Sequence, residues 1–152
     1  MKLNQQGFTL VELIVVIVIL GILAATALPR FVNLTGEAKH SKMQGLEGGL
    51  RAAVETVRGK WYAAGSSTST TVSAADGTLI TVGITGSAAG VPVGSAAGIG
   101  AALGSTSGYT PAYVLAGTST FTPAEGSTGT CNVTYADATG VVTINASASA
   151  CQ

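Results

Sequence analysis

The chain is short of charge. Its 152 residues include only seven basic and seven acidic side chains, which cancel. A typical soluble domain is about a quarter charged. With no net positive charge and no basic stripe, the electrostatic footprint of a nucleic-acid binder is missing, so nucleic acid is excluded as a partner. Aromatic residues are scarce at 5%, with one Trp; there is one His, His40, and there are two cysteines, Cys131 and Cys151. A reactive thiol or metal pair at the two cysteines is the poor alternative, with no second pair and only His40 available. Glu125 and Asp137 are too few and too far apart for a calcium cage. The Gly-rich run at 98–104 has the wrong spacing for a dinucleotide fingerprint and no acid at the expected distance. No cluster of Ser, Cys, His and acid stands at catalytic spacing, so neither an enzyme nor a cofactor is expected.

What is present is unevenly spread. All seven cations and four of the acids fall in the first 60 positions, leaving Asp76, Glu125 and Asp137 for the remainder. That remainder is dense in Ser, Thr, Gly and Ala. Ahead of it, residues 8–28 form an apolar run of 21, enough for a helix rising 1.5 Å per residue to cross about 30 Å of hydrocarbon. The run is compatible with a secretory signal peptide, since Ala25-Thr26-Ala27 offers a small-residue cleavage site. It is equally compatible with a plain anchor. One residue fits neither reading well: Glu12, a carboxylate inside the apolar run, where an unpaired charge costs a few kcal/mol. A carboxylate in the first turn also gains from the helix dipole.

Gly7-Phe8-Thr9-Leu10-Val11-Glu12-Leu13 closely resembles the start of type IV pilins and their pseudopilin relatives. The resemblance implies a leader of residues 1–7, a prepilin peptidase cut on the cytoplasmic side after Gly7, and N-methylation of the new amine at Phe8. It further implies that the apolar helix is retained, first in the inner membrane with the rest of the chain periplasmic, then in the core of an extracellular filament built by a pilus assembly machinery. Gly21 and Pro29 stand where family helices loosen in filaments, and both residue types weaken a helix. The new cationic amine of Phe8 supplies a partner for Glu12. The pair forms between subunits, setting register in the polymer, or within one helix.

Past Pro29 the apolar residues thin to a stripe, Phe31, Leu34, Ala38, Leu46, Leu50, Ala53, Val54, Val57 and Trp61, at spacings that mark a helix with one buried face. Lys39, Lys42, Glu47, Arg51, Glu55 and Arg58 read as its solvated face, with pairing along the helix at spacings of three and four. Gly36, Gly45, Gly48 and Gly49 weaken the helix or let another backbone approach. The expected helix covers 8–64, apolar to 28 and amphipathic from 29.

Residues 65–152 read as a β head. Strands are expected at 78–82, after the Asp76-Gly77 turn, at 109–115, and at 130–135 and 141–145 flanking a turn. A unit at 86–93 recurs at 94–101, read as an ordered loop or a variable surface segment. In an exported domain Cys131 and Cys151 are expected to form a disulfide, as type IV pilins commonly close a C-terminal loop. The fold class is therefore α+β, the type IV pilin fold: a long N-terminal helix packed against a small antiparallel sheet.

Residues 30–39, 46–50 and 131–140 are similar to the mannose-sensitive haemagglutinin (MSHA) branch of adhesive pilins. This resemblance implies a structural subunit of a surface filament, a homopolymer used for attachment. The runner-up is a pseudopilin of a type II secretion system, which shares the first 30 residues but builds a periplasmic piston.

Overall fold

The computed structural model describes residues 8–65, 68–127 and 130–152, with the backbone alone at 28–33. One helix dominates it. Helix α1, Leu10–Ala63, is 54 residues long, or about 80 Å at 1.5 Å per residue. It runs through Gly21 and Pro29 as one element. Its end is set by Gly65, in the left-handed conformation at φ 64°, whose N–H donates to the Tyr62 carbonyl.

The upper half of α1 buries one face. Met43, Leu46, Leu50, Val54, Val57 and Trp61 are all buried, at spacings of three and four that keep them on one side. Each large side chain so covered contributes about 1.5–3 kcal/mol. Leu34 and Ala38, expected in the same stripe, are exposed. The C-terminal turn meets α1 at Gly36, and Leu34 and Ala38, each two residues from it, are turned about 200° away.

The head has two antiparallel sheets rather than one. Strands β1 (Thr71–Ser73) and β2 (Leu79–Thr81) form a hairpin over the end of α1, where Val72, Ile80 and Val82 cluster with Val57 and Trp61. Its turn uses Gly77 at φ 88°, and the Asp76 carboxylate accepts the Thr78 N–H at 3.0 Å. The larger sheet is a meander, β3 (Tyr109–Ala112), β4 (Thr118–Pro123), β5 (Asn132–Ala136) and β6 (Val141–Asn145), in spatial order 3-4-5-6. Phe121, Val133 and Ile144 are cross-strand partners in one row, as are Ser119, Tyr135 and Val142 in the next. These rows cover Met43, Leu46, Leu50 and Val54.

Strand β6 begins and ends where the sequence placed it, whereas β3 stops at Ala112, three residues early. Strands β1 and β4 were not anticipated. In β4 the inward residues are Ser119, Phe121 and Pro123, and with a single large apolar among them the period-two signal is faint. The repeated unit is an ordered loop and not a variable surface: Val91, Pro92, Gly98 and Ile99 are buried. Its two copies differ in fold, the first making a 3-10 turn at Gly86–Ala88 and the second a π turn at Ala96–Gly100 that leads into the short α2, Ala101–Leu103.

Candidate functional site

The helix start is built by two side chains. Thr9 is the N-cap, in extended conformation, and its Oγ1 accepts the Glu12 N–H at 3.2 Å. Glu12 reaches back: its Oε2 accepts the Thr9 N–H at 2.9 Å and the Thr9 hydroxyl at 2.8 Å. This reciprocal capping box satisfies two donors that a helix start otherwise leaves open and sets a negative charge at the positive end of the dipole. In the uncut chain, where Phe8 has no free amine, the partner of Glu12 is Thr9. The Thr-x-x-Glu spacing carried the signal for the cap. Both contacts use Oε2, and Oε1 takes part in neither.

From this cap the apolar segment Leu10–Ala27 extends without touching the head: none of it is buried. Exposure runs from 47% at Ile14 to 91% at Phe8 over the large apolar residues up to Leu23. A core helix would be covered, so the segment is built for surroundings the single chain lacks, and it has the length and composition to cross a membrane. An added Cβ at Gly21 would meet nothing within 4 Å, so this glycine has no packing role inside the chain. Gly7 lies outside the described residues, as does the side chain of Pro29.

The head is fastened to α1 by charged side chains expected to be merely solvated. Lys42 pairs with Glu125 at 2.8 Å and lies 5.2 Å from the centroid of the Tyr109 ring; Lys39 donates to the Gly126 carbonyl at 2.8 Å. The Lys42 hydrogen bond holds the Glu125 carboxyl below the ordinary glutamate value. Arg51 pairs with Glu47 at 2.6 Å and donates to the Val142 carbonyl, while Arg58, beside Glu55, donates to the Ser87 and Thr139 carbonyls. The pairing along the helix is thus present for Glu47 with Arg51 and Glu55 with Arg58, but both arginines also cross to the head.

Cys131 and Cys151 are buried and form a disulfide. The turn it closes lies on the helix: a Cβ at Gly36 would stand 2.3 Å from the Ala148 carbonyl oxygen. Gly36 is therefore the helix glycine that admits another backbone, and Gly45, Gly48 and Gly49 have open space instead. Two further residues organise the loops. Tyr135 donates its hydroxyl to the Pro92 carbonyl, and burial, with the nearby Asp137 charge, keeps that phenol protonated well above its ordinary value. Asp137 is buried, and its Oδ2 accepts the Gly94 and Ala116 N–H groups at 3.2 and 2.8 Å. Neither role was visible beforehand, because the loops they tie have no periodic pattern.

Comparison with known proteins agrees with this picture at the N-terminal end. Residues 2–28 match the family model described as the prokaryotic N-terminal methylation motif. The chain is 45% identical over 56 residues to the type IV major fimbrial protein of Dichelobacter nodosus, covering 37% of this chain and 36% of that one. It is 45% identical over 60 residues to the type IV narrow pilus major component of Thermus thermophilus, 38% of this chain and 52% of the relative. Against a fimbrial protein of Moraxella nonliquefaciens it is 43% identical over 86 residues, 55% and 53% of the two chains. The chain thus spans between about a third and about half the length of these relatives. No solved structure matches it. An exposed apolar helix opened by a Thr9–Glu12 cap and joined to an α+β head carries the N-terminal methylation motif, and over that segment the chain is similar to type IV pilins.

Proposed function

We propose that this chain is the structural subunit of a type IV pilus, a polymer held together by its N-terminal helices. The observation that carries the reading is the apolar Leu10–Ala27 segment, which the head leaves wholly uncovered. Lipid accommodates such a helix before assembly, and copies of itself accommodate it afterwards. Residues 1–7 are a leader, removed by a prepilin peptidase after Gly7, and the amine of Phe8 is then methylated.

The cut converts an amide nitrogen at Phe8 into a cationic amine four residues before Glu12. The Thr9 contacts occupy Oε2, so Oε1 is left to receive the amine of a neighbouring subunit. A carboxylate in an apolar bundle is costly alone and tolerated when paired, so the pair favours one axial register over its alternatives. Gly21 and Pro29 are the positions at which the helix yields when it is packed. Within the family we place the chain in the MSHA-like branch, on residues 30–39, 46–50 and 131–140, with surface attachment as its use.

Intact mass of the native protein tests the processing. The expected mass lacks residues 1–7, carries one added methyl and has lost two hydrogens at Cys131 and Cys151. A chain beginning after Ala27 would sink the reading. Sheared supernatants test the assembly: fibres containing this chain support a pilus subunit, and a secretion defect without fibres supports a type II secretion pseudopilin instead.

A further inference from the structure

The two flanks of α1 in the head carry different apolar features. On one flank, Ala52, Ala53, Thr56 and Lys60 line a groove of about 430 Å³ whose far wall is Ile80 of β2 and Leu103 of α2. On the other flank, Arg58 reaches the Ser87 and Thr139 carbonyls, and the Ser87 hydroxyl donates to the Ala138 carbonyl. Ala88 and Ala138 in turn share a surface with Leu115.

Leu115 is a knob. It is 69% exposed, at the tip of the turn joining β3 to β4, beside Val114 at 46%. The turn is held firmly. Ala116 has φ 54°, a left-handed conformation that costs a non-glycine residue about 1–2 kcal/mol. Its N–H donates to the buried Asp137 carboxylate at 2.8 Å, the Val114 N–H donates to the Ser119 hydroxyl at 3.0 Å, and the Gly117 carbonyl accepts the Asp137 N–H at 3.2 Å. A buried carboxylate and a buried hydroxyl are thus committed to presenting one apolar side chain to solvent. Such a side chain binds with little further ordering cost.

We infer that Leu115 of one copy seats in the groove beside Ala53 and Thr56 of the next. The inference rests on the polymer reading above. Because knob and groove lie on opposite flanks of the same helix, a chain cannot satisfy its own, and contact between two different patches repeats without closing. Charge supports the same occupant: Lys60 lies at the groove, and Glu55, with 71% of its side chain exposed and only a 3.7 Å contact to Arg58, lies on the knob flank. Stacking copies groove to knob adds Glu55 to the Asp76 already near Lys60, while Arg58 stays turned to the Ser87 and Thr139 carbonyls of its own head.

The test uses cells that assemble the full chain. Leu115→Cys combined with Thr56→Cys, with the native disulfide retained, is expected to yield under mild oxidation a covalent ladder extending beyond the dimer on non-reducing gels. Each single variant cannot exceed a dimer. Leu115→Asp is expected to reduce sheared filament by about tenfold or more while the head stays folded, as its intact disulfide and protease resistance report, and Leu115→Met is expected to keep most of it. Normal filaments from Leu115→Asp, the absence of a ladder in a double variant that still assembles, or efficient dimers from Leu115→Cys alone would each overturn the inference. Absence of filaments from the unaltered chain would be a different failure, that of the pilus reading itself.

Discussion

Individual side chains divide into those that hold the head and those that wait for a partner. Glu12 holds its own helix start, and in the proposed polymer it also meets a partner. Glu12→Ala is therefore expected to permit cleavage after Gly7 but lower fibre yield, and Glu12→Gln, which keeps an acceptor for the cap and loses the charge, should assemble poorly as well. Immunoblots of cell-bound and sheared fractions separate processing from assembly, and wild-type yield from Glu12→Gln would refute a charge pair. The helix glycines allow a sharper contrast. Gly36→Ala places a methyl 2.3 Å from the Ala148 carbonyl and should cost the head about 1–3 kcal/mol, whereas Gly45→Ala, with nothing within 4 Å, should stabilise it by up to about 1 kcal/mol. Denaturant titration of the two variants should show opposite shifts. Tyr135→Phe leaves the buried Pro92 carbonyl without its donor and should cost about 1–3 kcal/mol by the same measurement.

Elements respond to conditions through their fastenings. The segment between β4 and β5 is tied to α1 by Lys42 with Glu125 and by Lys39 with the Gly126 carbonyl. The folded-state value of Glu125 lies below its unfolded one, so its contribution is present above the ordinary glutamate range and is lost as pH falls through the lowered value. Acidification should release the Glu125 tie before the sheet melts, leaving the Lys39 bond to the Gly126 carbonyl in place. A carboxyl titration followed by NMR should show Glu125 returning toward the ordinary value in Lys42→Ala, and an unmoved titration would contradict the assignment. The disulfide acts at the other end of the same segment. Opening its 20-residue loop by Cys131→Ser with Cys151→Ser should cost about 3 kcal/mol, read as a lower thermal midpoint.

Across the whole molecule, legibility in the sequence follows the chemistry of each part. The apolar segment, the buried stripe from Leu46 to Trp61 and strand β6 could be read because each has a period that a side-chain pattern reveals. Strand β4 could not, because Ser119 and Pro123 take inward places that a periodic reading reserves for larger apolar residues. Met43 was overlooked although it stands three residues before Leu46, in step with the buried stripe. The loops at 86–101 and 113–117 are held by Asp137 and Tyr135 across long sequence separations, which no local pattern records.

The seat of the C-terminal turn on Gly36 bears on how the protein can be labelled. Gly36 and the Trp61 end of α1 are 25 residues apart, about 37 Å along the helix, so residues 148–152 lie at the base of the head, on the side of the uncovered apolar segment. An epitope fused after Gln152 would be lodged there and should block polymerisation. The exposed Asp76-Gly77 turn caps the opposite end, and a short tag inserted between those residues should remain reachable by antibody on an intact fibre.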